Sequence, residues 1–270
     1  DVDPRALGHK CLAVNLSDLA AMGAEPLAFT LSIALPPTRA ADQGWLDAFS
    51  RGLFDLADAH ACELIGGDTT AGPLVISIAI FGRLDARRAL RRDAARVGDL
   101  VYVSGCLGDA ALALRALQGE IALDRPTLAD ARARLEWPAP RVALGRALSA
   151  CAPQSVHAAI DLSDGLAGDL AHILEASGVG ADIDLDAVPM SAALAAQPEA
   201  VRAACALAGG DDYELCFTAG PEAATTMARI AAEQGVPLTR IGHIVADPGL
   251  RWRSGTEVRD LRLRGYDHFA

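Results

Sequence analysis

Twice in this chain a pair of glycines and an aspartate border a short apolar run. Leu64-Ile65 leads into Gly66-Gly67-Asp68-Thr69-Thr70, and Gly209-Gly210-Asp211-Asp212-Tyr213-Glu214 leads into Leu215-Cys216-Phe217. Short apolar runs bounded by turn residues read as strands. Pro73 opens another, Leu74 to Phe81. The first stretch therefore predicts strand, tight loop, strand, with glycines that let the backbone turn sharply and approach a ligand. Asp68, beside two hydroxyls, offers the oxygen donors that hard cations such as Mg²⁺ prefer. The competing reading is a hairpin loop in which Gly and Asp serve turn geometry alone.

Helical and alternating patterns separate these runs. Leu12, Leu16, Leu19 and Ala20 predict a helix from His9 to Met22, with Gly23 as its C-terminal cap. Asn15 and Asp18 share a face of that helix, either as part of a solvated stripe or with a carboxylate aimed into a cleft. Leu27 to Leu35 alternates large and small residues, as a half-buried strand does. Trp45, Phe49, Leu53 and Leu56 mark a second helix. Arg87, Arg88, Arg91, Arg92 and Arg96 crowd a stretch from Asp85 to Arg96 with few apolar residues. It reads as a solvated linker, as a source of guanidinium for a phosphate, or as both. The boundary is placed there, giving domains 1–90 and 91–270.

Beyond it come a strand at Leu100–Val103 and a helix at Ala110–Leu117, before which Asp109 reads as a cap. Further helices are predicted at 127–135 and 141–150. The strand Ala158–Ile160 ends in Asp161-Leu162-Ser163-Asp164-Gly165 before a helix from Leu166. Ser and Asp at such a turn can cap the helix. Two carboxylates exceed what a cap requires, and at 4 Å they repel by about 4 kcal/mol at an effective dielectric of 20. A bound cation removes that cost. A strand at 182–188, a helix at 221–233, a strand at 238–245 and a hairpin near Ser254-Gly255 complete the pattern. The chain closes on Gly265-Tyr266-Asp267-His268-Phe269, where an aromatic can cover a planar ligand or plug a core.

Composition narrows the function. The formal net charge of −11 argues against a nucleic-acid or anionic-membrane surface, and no apolar run is long enough to span a bilayer. Lys10 is the only lysine, so a P-loop and a protein-kinase strand lysine are both absent. Any phosphate here must be met by Arg and metal ions. The six cysteines are scattered without C-x-x-C pairs, which fits buried thiols in a cytoplasmic protein rather than zinc or disulfides.

Five motifs then occur in order: Asn15-Leu16-Ser17-Asp18-Leu19-Ala20-Ala21-Met22-Gly23-Ala24, Gly66-Gly67-Asp68-Thr69-Thr70, Asp161-Leu162-Ser163-Asp164-Gly165-Leu166, Gly210-Asp211-Asp212-Tyr213-Glu214-Leu215 and Gly265-Tyr266-Asp267-His268-Phe269. Together they resemble the thiamine-monophosphate kinase family over nearly the whole chain. The resemblance implies an α/β, α+β-layered two-domain fold shared with aminoimidazole ribonucleotide synthetase and selenophosphate synthetase. Its N-terminal sheet domain pairs in a homodimer, and its C-terminal domain is α/β. It implies ATP-dependent phosphorylation of thiamine monophosphate to thiamine diphosphate with several Mg²⁺ ions. By motif, Asp18, Asp68, Asp161 and Asp164 would hold Mg²⁺, and Gly67, Asp68 and Ser163 would lie along the nucleotide phosphates. Arg92 would meet ATP, while Glu214 and Tyr266 would contact the thiamine moiety. Arg91 stands as the alternative to Arg92, and Asp211 or Asp212 to Glu214. Asp68, Asp18 and Arg92 are the residues on which turnover would depend.

The family also carries a Gly-Asp-Asp-Ala segment and an Asp-x-Leu-Val-Glu-Gly-Val-His-Phe segment ahead of these motifs, with further metal ligands, a substrate histidine and strands of the dimer sheet. This sequence begins after them, and turnover and pairing are the properties their absence would affect. The alternatives are a sister ATP-dependent enzyme and a non-catalytic nucleotide and Mg²⁺ binder. Aminoimidazole ribonucleotide synthetases show Gly-Gly-Glu-Thr-Ala-Glu where this chain has Gly-Gly-Asp-Thr-Thr-Ala. Selenophosphate synthetases carry a reactive Cys or selenocysteine near the N-terminus. The Asp-Tyr-Glu-Leu and Tyr-Asp-His-Phe motifs favour the thiamine enzyme.

Overall fold

The structure is a computed structural model and describes residues 2–261. The first helix, α1 (Pro4–Met22), starts earlier than its apolar repeat suggests. The Asp3 side chain accepts from the Arg5 N–H at 2.9 Å and Pro4 occupies the first turn, both strong start signals. Gly23, at φ 72°, ends it as predicted. β1 (Glu25–Leu35) follows, then a short α2 (Pro37–Ala40) and α3 (Gln43–Ala59). α3 buries Trp45, Phe49, Leu53 and Leu56. Its backbone touches that of α1: a Cβ on Gly52 would fall 1.8 Å from the Arg5 carbonyl oxygen, and one on Gly8 would fall 2.0 Å from that of Phe49.

The region around the first Gly-Gly-Asp differs from the expectation. β2 (Glu63–Ala71) runs straight through Gly66–Thr70, and β3 (Val75–Arg83) does not pair with it. The sheet order is β2-β1-β3, with β2 parallel and β3 antiparallel to β1. The motif is thus neither a tight loop nor a hairpin. Glycine serves close strand packing instead: Gly67 has φ 147°, and a Cβ there would lie 1.8 Å from the Leu31 carbonyl oxygen. The register slips between Phe29 and Thr30, which pair with Leu64 and Gly66, as a bulge requires. Helix α3 provides the crossover that a parallel pair needs.

The second sheet has seven strands in the order β10-β9-β6-β8-β4-β7-β5. In chain order its elements are β4 (Leu100–Ser104), α4 (Asp109–Leu117), α5 (Arg125–Glu136), α6 (Val142–Ser149), β5 (Val156–Asp161), α7 (Leu166–Ser177) and β6 (Gly180–Asp184). They continue with α8 (Ala192–Ala195), α9 (Glu199–Ala208), β7 (Leu215–Ala219), α10 (Ala224–Gln234), β8 (Leu238–Val245), β9 (Gly249–Ser254) and β10 (Glu257–Arg259). β6 stops at Asp184 rather than 188 because the Asp184 side chain accepts from Asp186 N–H at 3.0 Å and starts a 3₁₀ turn. Helices α8 and α9 were not anticipated. They are built from alanine with few large apolar residues, so little periodicity marks them.

One hydrophobic core joins the two halves. Leu12, Leu16, Phe29, Phe49 and Leu53 pack with Leu144, Leu148, Phe217, Met227 and Ile230. Leu90, in the expected solvated linker, is 1% exposed within this core, although Arg87, Arg88, Arg91, Arg92 and Arg96 around it face solvent. A second core fills the other side of the large sheet, with Val101, Leu112, Leu170, Ile183, Ile241 and Trp252. The shared core presses α1 against α6 and β5. That contact brings residues from the start of the chain to the end of β5.

Candidate active site

β5 ends at Asp161, and α1 supplies what lies beside it. Ser17 Oγ donates to Asp161 Oδ2 at 2.7 Å, with both residues buried. Burial pushes the Asp161 carboxyl up to about 6; the Ser17 hydrogen bond and Arg92 work against this, and the charge of Asp18 adds to it. Desolvation also raises Asp18, against the pull of Arg92. Asp18, Arg92 and Asp161 therefore form one electrostatic group. Asp18 and Arg92 line a cavity of about 440 Å³ with Ala21, Met22, Arg91, Asp93 and Ala159. The two candidate arginines separate here. Arg91 is held by Asp93 through two hydrogen bonds, at 2.7 and 2.5 Å, whereas the charge of Arg92 acts on Asp18 and Asp161.

The two acidic loops of the C-terminal half are stitched together. Asp211 N–H donates to the Ser163 carbonyl at 2.9 Å, Tyr213 N–H to Leu162 at 2.8 Å, and Leu162 N–H to Glu214 at 2.8 Å. Asp211 and Tyr213 sit at φ 71° and 50°, which costs a non-glycine residue about 1–3 kcal/mol. Local bonds hold them there. Tyr213 Oη donates to Asp211 Oδ1 at 3.0 Å, and Lys10 Nζ of α1 lies 3.0 Å from the same oxygen.

Capping does not explain the carboxylates of the 161–165 turn. The cap of α7 is Gly165, with no side-chain hydrogen bond. Asp164 N–H instead donates to Asp169 Oδ2 at 3.0 Å. Asp169, on α7, is pushed up to about 7 by burial and by the charges of Asp164 and Asp161, against the hydrogen bonds it accepts. Asp109 is not a cap either. Gly108 occupies that place before α4, its N–H lies 2.9 Å from both Asp212 oxygens, and Asp109 accepts from Ser191 at 2.5 Å. Burial raises Asp212 well above the ordinary carboxyl range, although the Gly108 N–H opposes it.

Not every expected residue joins this group. Glu214 joins the stitched loops through its carbonyl, but its buried carboxylate turns to Arg141 and Ser104 rather than to Asp161. Gly67 and Asp68 lie on exposed β2, where Asp68 pairs with Ser32 of β1. Asn15 bonds the Cys11 carbonyl at 2.8 Å on its own helix. Tyr266 lies outside the described residues. Among the described residues no three His, Cys, Asp or Glu side chains form a ready cage for a metal. Sequence reasoning missed Lys10, Asp169 and Arg141 as parts of the site. Lys10 had one signal, as the sole lysine. Arg141 had none.

The AIR synthase related protein family matches this chain in two parts, its N-terminal domain over residues 1–84 and its C-terminal domain over residues 96–253. The thiamine-monophosphate kinase of Salmonella typhimurium is 47% identical over 277 residues, covering 100% of this chain and 82% of the relative. The chain belongs to the thiamine-monophosphate kinase family. A solved thiamine-monophosphate kinase from Stenotrophomonas maltophilia superposes with a TM-score of 0.87 at 46% identity, covering 94% of this chain and 80% of that one. AaThiL, solved complexed with AMPPCP and TMP, gives a TM-score of 0.82 at 28% identity, covering 98% and 81%. Membership fits the layered α/β fold. Four of the five family motifs fall within the described residues, and three of those meet where α1, the end of β5 and the start of β7 converge.

Proposed function

We propose that this chain transfers the γ-phosphoryl group of ATP to the phosphate of thiamine monophosphate, giving ADP and thiamine diphosphate. The observation that carries this is the 47% identity to a thiamine-monophosphate kinase along the entire chain, together with the cleft lined by Asp18 and Arg92, whose charges act on the buried Asp161 beside it. The substrate phosphate is a monoester already largely ionised, so its oxygen attacks without a strong base. The work left to the protein is alignment and charge stabilisation, as in phosphoryl transfer generally.

Magnesium fits these residues. Asp161 is 4% exposed and lies within the field of Asp18, and burial with that like charge outweighs the opposing Ser17 hydrogen bond and Arg92, an excess of negative charge that suits a divalent cation. Mg²⁺ keeps several waters and takes one or two carboxylates plus substrate phosphates, so a closed protein cage is not required. Asp18, Asp161 and Asp164, with Asp68 on β2, would hold several such ions between them rather than one. When bound, Mg²⁺ neutralises charge on the phosphate oxygens. Arg92 binds a nucleotide phosphate, Gly67, Asp68 and Ser163 line the phosphate path, and Glu214 and Tyr266 orient the thiamine moiety.

We read the working form as a homodimer. β2 is exposed along its length, and Leu27, Ile65, Val75 and Phe81 present apolar surface on the small sheet, as a docking face does. Residues 1–90 and 91–270 are taken as its two domains. Among the described residues no helix is long and apolar enough to cross a membrane; with all six cysteines free, we place the enzyme in the cytoplasm.

The test is thiamine diphosphate formation from ATP, Mg²⁺ and thiamine monophosphate, read as thiochrome fluorescence after oxidation. Asp68→Asn should lower turnover by about 100-fold or more with an unchanged melting curve. Near-normal turnover would remove Asp68 from the metal site.

A further inference from the structure

Glu214 is fixed more firmly than any other carboxylate of the site. Arg141 Nε donates to Oε2 at 2.7 Å and Arg141 Nη2 donates to Oε1. Ser104 Oγ donates to Oε2 at 2.5 Å while accepting from Leu215 N–H at 2.9 Å. Gly105, at φ 61°, packs its backbone against the same carboxylate: a Cβ there would lie 2.2 Å from Oε1. A carboxylate has about four acceptor positions, and these contacts fill three.

Arg141 is itself anchored. Its carbonyl accepts from Gly145 N–H at 2.8 Å as α6 begins. The preceding loop is tied to α1, where His9 Nε2 donates to the Pro138 carbonyl at 2.8 Å and the His9 and Trp137 rings lie 4.9 Å apart. The side chains of Arg141 and Glu214 are 17% and 6% exposed. An Arg fork sets both position and plane of a carboxylate, which a lysine cannot do.

We infer that Arg141 is a positioning residue for substrate recognition, holding Glu214 so that one acceptor position on Oε1 is left for a hydrogen-bond donor of thiamine monophosphate. This rests on the reading of Glu214 as a residue that meets that substrate. Arg141 acts through Glu214 and does not touch the phosphates. Its loss therefore weakens recognition of thiamine monophosphate and spares ATP.

Steady-state kinetics of Arg141→Lys, Glu214→Gln and the double variant test this, with thermal melting to verify folding. Arg141→Gln, which keeps a donor on a long side chain, serves if the lysine variant does not fold. The expected result is a rise of about tenfold in KM for thiamine monophosphate for each single variant, with KM for ATP within about twofold of wild type. In the Glu214→Gln background the Arg141 change should add nothing further, because the two act as one unit. An unchanged KM for thiamine monophosphate in the Arg141 variants, with a raised one in Glu214→Gln, would overturn the inference alone. A full additional effect of Arg141→Lys in the Glu214→Gln background would overturn it too, by placing Arg141 against the substrate. An unchanged KM in Glu214→Gln would remove the reading of Glu214 and the inference with it.

Discussion

Arg91 and Arg92 are neighbours in sequence and line the same cavity, but they differ in their partners. Arg91 is occupied by Asp93, while the charge of Arg92 acts on Asp18 and Asp161. Arg92→Ala should lower turnover by about 100-fold or more through lost phosphate stabilisation, and Arg91→Ala should leave it within about threefold, since exposed ion pairs contribute little. Comparable losses in both would show that the site uses either arginine. The sequence offered both, and only the placement of Asp93 separates them. Asp161 and Asp164 were legible as more than caps, and α7 is capped by Gly165 without them. The clamp on Glu214 was not legible, because Ser104 and Arg141 lie 110 and 73 residues from it and no local pattern encodes such a pairing.

Elements with strong periodicity are legible in the sequence, and those shaped by nonlocal contacts are not. The strand at 238–245 has its predicted bounds. The first Gly-Gly-Asp stretch is strand rather than loop, because in sequence a glycine that permits a turn looks the same as one that permits two strands to touch. Close approach has a measurable cost when it is blocked. Gly52→Ala drives a methyl into the Arg5 carbonyl across the α1–α3 contact and should destabilise the chain by about 3 kcal/mol in urea unfolding, as overpacking does. Little or no loss would mean the helices can part freely. The β6–β9 pairing gives a pH signature. Burial works to raise the Asp182 carboxyl, but Arg251 and Arg253, at 2.6 and 2.8 Å, outweigh it and hold the pKa below its ordinary 3.8. A carboxylate with a depressed folded pKa adds stability above its unfolded pKa, and this is lost as pH falls through the folded value. Asp182→Asn should cost about 1 kcal/mol at pH 7. That deficit should shrink as the wild type is acidified below 3.8; a deficit unchanged with pH would assign it to packing.

At the scale of the whole molecule, the shared core decides what the site is made of. Leu12 and Leu16 of α1 pack with Leu144, Leu148 and Phe217, and this sets Ser17 against Asp161 and Lys10 against Asp211. The two halves could be anticipated from the arginine-rich stretch and from the acidic motifs on both sides of it. Their union in one core could not, because an apolar helix face does not say which partner covers it. The account stands on transfer of a phosphoryl group to a phosphate, and the direct measurement is ³¹P NMR after incubating the chain with Mg²⁺, thiamine monophosphate and ATP labelled with ¹⁸O in its γ-phosphoryl group. The predicted result is thiamine diphosphate whose terminal phosphorus carries the labelled oxygens, with ADP formed in equal amount. Label found only in inorganic phosphate, or ATP left intact while bound, would contradict it.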